Sequence, residues 1–159
     1  VTMIDRNNKY QRVLINPREY DNLGRLICFH KRYHLGDPHD IDYTQFESWF
    51  EMEQWLYHEM DAVVVVPVFL YDHSGLVMTA QVPPTPCNHW DCGQVGFIYV
   101  DKETVLKEYG PSAFESIEDN KLTEDKTDLI ISILIDEVNE YNLYLNGEGE
   151  DADFIPNHR

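Results

Sequence analysis

Apolar and polar positions alternate in blocks along this chain, and the spacing inside each block predicts its element. Residues 62–72, Ala-Val-Val-Val-Val-Pro-Val-Phe-Leu-Tyr-Asp, are β-branched and almost unbroken, the pattern of a strand buried on both faces. Pro67 has no amide to donate, so this strand must be interrupted, bulged or at an edge there. Ser74-Gly75 supplies a tight turn into residues 76–82, which completes a hairpin, and residues 95–100 read as a further apolar strand. Leu26-Ile27-Cys28-Phe29 is a shorter buried strand, and residues 10–15 form another before the Asn16-Pro17 turn.

Helical periodicity replaces this pattern in three places. Between Tyr43 and Met60, Phe46, Trp49, Phe50, Leu56 and Tyr57 recur at steps of three and four, with Asp42 as the cap. Asp101 caps a short helix that Gly110-Pro111 stops. The last helix carries a stripe of Leu122, Leu129, Ile130, Ile133, Leu134, Val138, Tyr141 and Tyr144 and ends at Asn146-Gly147. Strands, a helix, three strands and two helices predict an α+β domain. Its antiparallel sheet has about four to five strands, packed by two main helices and one short one. Residues 1–147 form that single domain and 148–159 an acidic, mobile tail.

Composition adds a strong charge imbalance. The chain of 159 residues has 12 basic and 29 acidic residues, a net −17, and between Arg32 and Lys102 it has eleven acids and no base. Residues 1–34 hold seven of the bases, so a cationic leading segment precedes a strongly anionic remainder. Such a field repels nucleic-acid backbones and anionic membranes and favours cationic partners. At 43% hydrophobic and 13% aromatic the chain still builds a real core. Three cysteines are too few and odd for a secreted disulfide framework. The first 30 residues lack a signal-peptide core, and no apolar run reaches the ~20 residues of a spanning helix. The expectation is a cytoplasmic protein.

Five stretches carry a family resemblance. They are Asn16-Pro17-Arg18-Glu19-Tyr20-Asp21-Asn22-Leu23-Gly24, residues 28–37 (CFHKRYHLGD), Leu70-Tyr71-Asp72-His73-Ser74-Gly75, residues 90–100 (WDCGQVGFIYV) and residues 137–147 (EVNEYNLYLNG). In this order they resemble a family of small proteins of tailed bacteriophages and related mobile elements. The resemblance implies a phage origin and the host cytoplasm as location, and no shared activity. The family pattern has a serine where this chain has Cys92, and an aromatic segment where this chain runs into Glu148-Gly149-Glu150-Asp151.

Candidate chemistry is sparse. Cys87, His89 and Cys92, with His73 a hairpin away, offer zinc-type ligands, but the Cys-x-His-x₂-Cys spacing is not that of a zinc knuckle, and a Pro-stiffened loop is the plainer reading. His30, His34 and His39 with Asp37 and Asp40 could hold a metal through imidazole and carboxylate. Asp72, His73 and Ser74 are adjacent on a strand and point to alternating faces, so they cannot form a relay among themselves. Gly93-Gln94-Val95-Gly96 is too short for a dinucleotide fingerprint.

The sequence therefore reads as a binder rather than an enzyme, needing no cofactor. The leading expectation is a phage-encoded inhibitor of a host defence system, of the anti-CRISPR or antirestriction kind. Its carboxylates would replace nucleic-acid phosphates in the basic cleft of a nucleic-acid-binding effector, with no nucleic acid or membrane bound directly. The expected contact residues are Glu47, Glu51 and Glu59 on the first helix and Asp125, Asp128, Asp136 and Glu140 on the last. A single surface carboxylate contributes little, so this reading needs a contiguous array. The alternatives are a small-ligand or metal pocket at His73, Trp90, Asp91 and Gln94, and a phage accessory or assembly protein.

Overall fold

The computed structural model describes residues 3–4, 10–11, 14–72, 75–81 and 92–148. Strands β1 (Met3–Ile4) and β2 (Tyr10–Gln11) pair with each other. A 3-10 turn at Pro17–Glu19 leads to β3 (Arg25–Cys28), and a second at Tyr43–Gln45 precedes helix α1 (Trp49–Glu59). Strands β4 (Ala62–Asp72), β5 (Leu76–Ala80) and β6 (Gln94–Asp101) follow. Helix α2 (Lys102–Tyr109), the short strands β7 (Phe114–Ser116) and β8 (Lys121–Leu122), and helix α3 (Glu124–Leu145) end the described fold.

The main sheet is antiparallel in the order β3-β6-β4-β5. This is the α+β architecture that the apolar blocks predict. Its two faces are covered by different helices. Leu26, Val64, Val66, Val68, Ile98 and Val100 point to one side, where Ile130, Leu134 and Val138 of α3 pack on them. Ile27, Val65, Phe97 and Tyr99 point to the other, where Trp49, Met52 and Leu56 of α1 lie. Strands buried on both faces must be apolar throughout, which accounts for the near-continuous valines of β4.

Pro67 sits in a continuous, central strand, between β6 and β5. It is nonetheless an edge locally. Its carbonyl accepts from Gln81 N at 3.0 Å, and in an extended residue the N and the C=O face the same side. The missing amide therefore points to β5, whose last paired residue, Ala80, lies opposite Val68. The proline stands where the neighbouring strand stops.

The single helix predicted from Tyr43 to Met60 is instead two elements. Asp42 Oδ1 accepts from Thr44 N at 3.0 Å and from Thr44 Oγ1 at 2.6 Å, closing the 3-10 turn. Phe46 is extended, and Ser48 Oγ then accepts from Glu51 N at 3.2 Å to start α1. Two capping side chains six residues apart divide one apolar stripe, because each satisfies first-turn amides of its own helix. Two other helix ends fall where their signals predict: Asp101 caps α2 through Thr104 N at 2.8 Å, and Gly147 takes φ +76 after α3. The start of α3 does not: Leu122, expected on its stripe, belongs to β8, and Thr123 Oγ1 accepts from Lys126 N at 3.2 Å to begin the helix after it. The β7–β8 hairpin was not legible as strands. Ser74 of the predicted turn, most of the loop at 83–93 and the tail beyond 148 lie outside the described residues.

Candidate functional site

All seven predicted contact acids are exposed, but the fold does not unite them. Glu47 lies in the bend before α1, not on it, and Glu51 and Glu59 ride on α1. Asp125, Asp128, Asp136 and Glu140 ride on α3, across the sheet. One continuous array spanning both helices is therefore excluded by the layering.

Within α3 the acids do converge. At ~100° per residue, Asp125, Asp128, Asp136 and Glu140 fall within an arc of about 120°, and at ~1.5 Å rise they run about 22 Å along the helix. The same arc presents Leu129, 43% exposed, and Leu143, 44% exposed. The sole base of α3, Lys126, places its Nζ 4.6 Å from the Tyr109 ring centroid on α2. At its C-terminal end the arc meets a groove of about 480 Å³ lined by Tyr20, Asp21, Asn22, Glu140, Leu143 and Tyr144, among others. An acidic stripe that makes no salt bridge among the described residues thus runs into a groove with Tyr20, Leu143 and Tyr144 in its wall.

Glu137, also on α3, does something different. Its Oε2 accepts from Leu23 N at 2.7 Å and its Oε1 from Gly24 N at 3.0 Å, and Arg18 Nη1 donates to it at 3.4 Å. Arg18 also grips Asp37 with both arms of its fork, Nε to Oδ1 at 3.0 Å and Nη2 to Oδ2 at 2.8 Å, and reaches Gly24 O at 2.7 Å. Asp37 Oδ2 in turn accepts from Leu26 N at 2.9 Å. The Arg18 side chain is 3% exposed. Burial pulls its pKa down, but the two carboxylates more than offset this and hold it above the ordinary value. One base of the cationic leading segment thus sits inside the molecule, neutralising acids that would otherwise repel.

A cavity of about 940 Å³ opens beside the end of β3. Phe29, Tyr33, Tyr43 and Trp49 line it with His30, Lys31, His34, His39 and Gln94. Phe29 anchors a ring cluster, with centroids 4.7 Å from His39, 6.0 Å from Tyr43 and 5.9 Å from Trp49. A second pair, His30 and Tyr33, stands at 4.8 Å. Gln94 is buried and donates through Nε2 to Gly96 O at 3.0 Å.

The histidine-carboxylate group does not assemble as a metal centre. His39 Nδ1 accepts from Ile41 N at 3.1 Å, which puts the proton on Nε2, 2.8 Å from Cys28 O. Both nitrogens are thereby engaged, and Asp37 is committed to Arg18. No group of three His, Cys, Asp or Glu placed to hold a metal occurs among the described residues. Cys92 is disulfide-bonded, so its sulfur is not the thiolate that zinc requires; Cys87 and His89 lie outside the described residues. So do His73, Trp90 and Asp91 of the predicted pocket, leaving Gln94 as its described member.

Cys28 is free and 7% exposed, and burial, reinforced by the Asp37 charge, drives its thiol pKa far above the ordinary value. Thiolate is the reactive form, so iodoacetamide at pH 8 is expected to leave Cys28 unlabelled in the native protein and to alkylate it in urea. Native labelling at that peptide, read by mass spectrometry, would contradict the burial.

Glu53, absent from the candidate acids, is the buried acid among the described residues. It lies on the sheet-facing side of α1, where desolvation raises its pKa against the Gln54 hydrogen bond, and burial together with its charge pushes the Tyr57 phenol up to about 12. Its spacing from Trp49 and Leu56 placed it in the apolar stripe, and that signal was available.

Comparison with protein-family models, curated proteins and solved structures finds no match. No helix among the described residues is long and apolar enough to cross a membrane.

Proposed function

We propose that this protein is an acidic inhibitor that docks the outer face of α3 into the basic, nucleic-acid-binding cleft of a partner protein. The observation that carries the reading is the α3 arc: four exposed carboxylates with no base among them, on a chain of net charge −17. Carboxylates at this density replace phosphates as partners for Lys and Arg, through charge-assisted hydrogen bonds and electrostatic steering. Leu129, Leu143 and the groove beside Tyr20 add apolar area at the same surface, and buried apolar anchors supply what charge alone does not. The resemblance to phage-encoded proteins makes a host defence effector, a CRISPR or restriction nuclease, the proposed target.

The phage plating assay tests this. In a panel of hosts carrying such effectors, expression of the protein should restore plating of a restricted phage on at least one. Charge reversal at Asp125, Asp128, Asp136 and Glu140 should abolish that rescue, while reversal of Glu47, Glu51 and Glu59 across the sheet should leave it. Rescue that survives reversal of the α3 acids would overturn the proposal, as would failure on every host of the panel.

A further inference from the structure

The pocket beside β3 is unused by the α3 reading, and its chemistry differs from the rest of the molecule. We infer that it binds a small planar aromatic anion, of the chemical class of a nucleoside monophosphate. Its volume of about 940 Å³ suits a ligand of that size; ligand pockets span about 300–1,000 Å³. Two ring clusters line it, Phe29 with His39, Tyr43 and Trp49, and His30 with Tyr33. Exposed ring surface inside a cavity is a stacking platform for a planar ligand. Tyr33 remains 40% exposed and Tyr43 42% exposed, so their rings retain surface to cover.

The sign of the local charge selects an anion. Among the lining residues Lys31 is the one lysine or arginine and Asp37 the one acid. Arg32 is tied to Asp72 at 2.9 Å, whereas Lys31 makes no salt bridge among the described residues. The acid that lines the pocket, Asp37, has its charge matched by the Arg18 fork. His30 Nδ1 accepts from Arg32 N at 3.1 Å, which leaves its Nε2–H as a donor. An ammonium and an imidazole N–H beside stacked rings recognise one phosphate attached to one planar ring.

Isothermal titration of the full chain with AMP, GMP, CMP and UMP, and with adenosine and inorganic phosphate as the separated halves, tests the assignment. At least one monophosphate should bind saturably with a dissociation constant below millimolar, more tightly than adenosine and than phosphate. Lys31→Ala should weaken that nucleotide about tenfold, as loss of a charge-assisted hydrogen bond does, and leave adenosine unchanged. Tyr43→Ala should weaken both about tenfold through lost stacking. Both side chains are exposed, so circular dichroism and the unfolding midpoint should stay at wild-type values. Absence of saturable binding by all four nucleotides would overturn the inference. Equal affinity for adenosine would remove the anion, equal affinity for phosphate would remove the ring, and indifference to both substitutions would place binding elsewhere. The α3 charge variants should bind the nucleotide normally, so this pocket and the acidic face stand or fall separately.

Discussion

Arg18→Met is expected to destabilise the fold by about 3–5 kcal/mol, the range for removing one partner of a buried ion pair. The guanidinium is the shared counter-ion of Asp37 and Glu137, whose side chains are only 16% and 12% exposed. Without it two carboxylates remain close together, each held in place by backbone amides it cannot leave: Leu26 N for Asp37, Leu23 and Gly24 N for Glu137. The network joins four parts of the chain, namely the Pro17–Glu19 turn, β3, the loop at 36–38 and α3. Its loss should therefore lower the urea midpoint of the whole domain rather than loosen one loop. Adding Asp37→Asn and Glu137→Gln removes the stranded charges while keeping the shapes, and should recover part of the lost stability. A shift below about 1 kcal/mol, the level of an exposed pair, would contradict this account of the network.

Gly96→Ala is the second large effect. Gly96 lies opposite Cys28 on one side and Val68 on the other, at the centre of the sheet. A Cβ there would stand 1.8 Å from Ile27 O and 2.9 Å from Cys28 Cα. Both are backbone atoms of β3, so no rotamer change relieves the clash and the strand itself must move. Overpacking a core costs about 1–3 kcal/mol and occasionally more; a rigid backbone contact should reach the upper end, about 3 kcal/mol or beyond. Gly75→Ala is the internal control, since among the described residues its added Cβ would meet only Asn146 Oδ1, at an ordinary 3.6 Å. Urea unfolding of the two variants should separate them clearly, and near-equal midpoints would mean that β3 does not approach β6 this closely.

These two residues mark where sequence reasoning stopped. The four strands of the main sheet and α3 were legible because burial on both faces forces unbroken apolar runs and a helix on a sheet forces a 3.6-residue stripe. Helix ends were legible through Asp101, Gly110 and Asn146-Gly147, whose side chains or φ values act locally. Arg18 read only as one base in a cationic segment, because its partner Glu137 is 119 residues away and nothing local requires the meeting. Gly96 read as part of a short glycine pattern, whereas its cause is a neighbouring strand's backbone. The candidate acids were individually legible as exposed, since each falls outside the apolar stripe beside it. Their division between two sides of a sheet depends on strand order, which periodicity does not encode. The aromatic pocket was missed for the same reason: Phe29 just after β3, Tyr43 in the second 3-10 turn and Trp49 on α1 lie far apart in the chain and meet only beside the end of β3.

The acidic face of α3 as a docking surface is tested most directly by comparing what two versions of the protein retain from a host extract. One is the native chain; the other carries Asp125→Asn, Asp128→Asn, Asp136→Asn and Glu140→Gln, which remove the charges and keep the shapes. The native chain should retain a nucleic-acid-binding protein that duplex DNA or raised salt releases, as screened charge pairing requires, and the neutralised chain should retain none of it. Equal retention of that protein by both versions, or retention that DNA does not compete, would contradict the account.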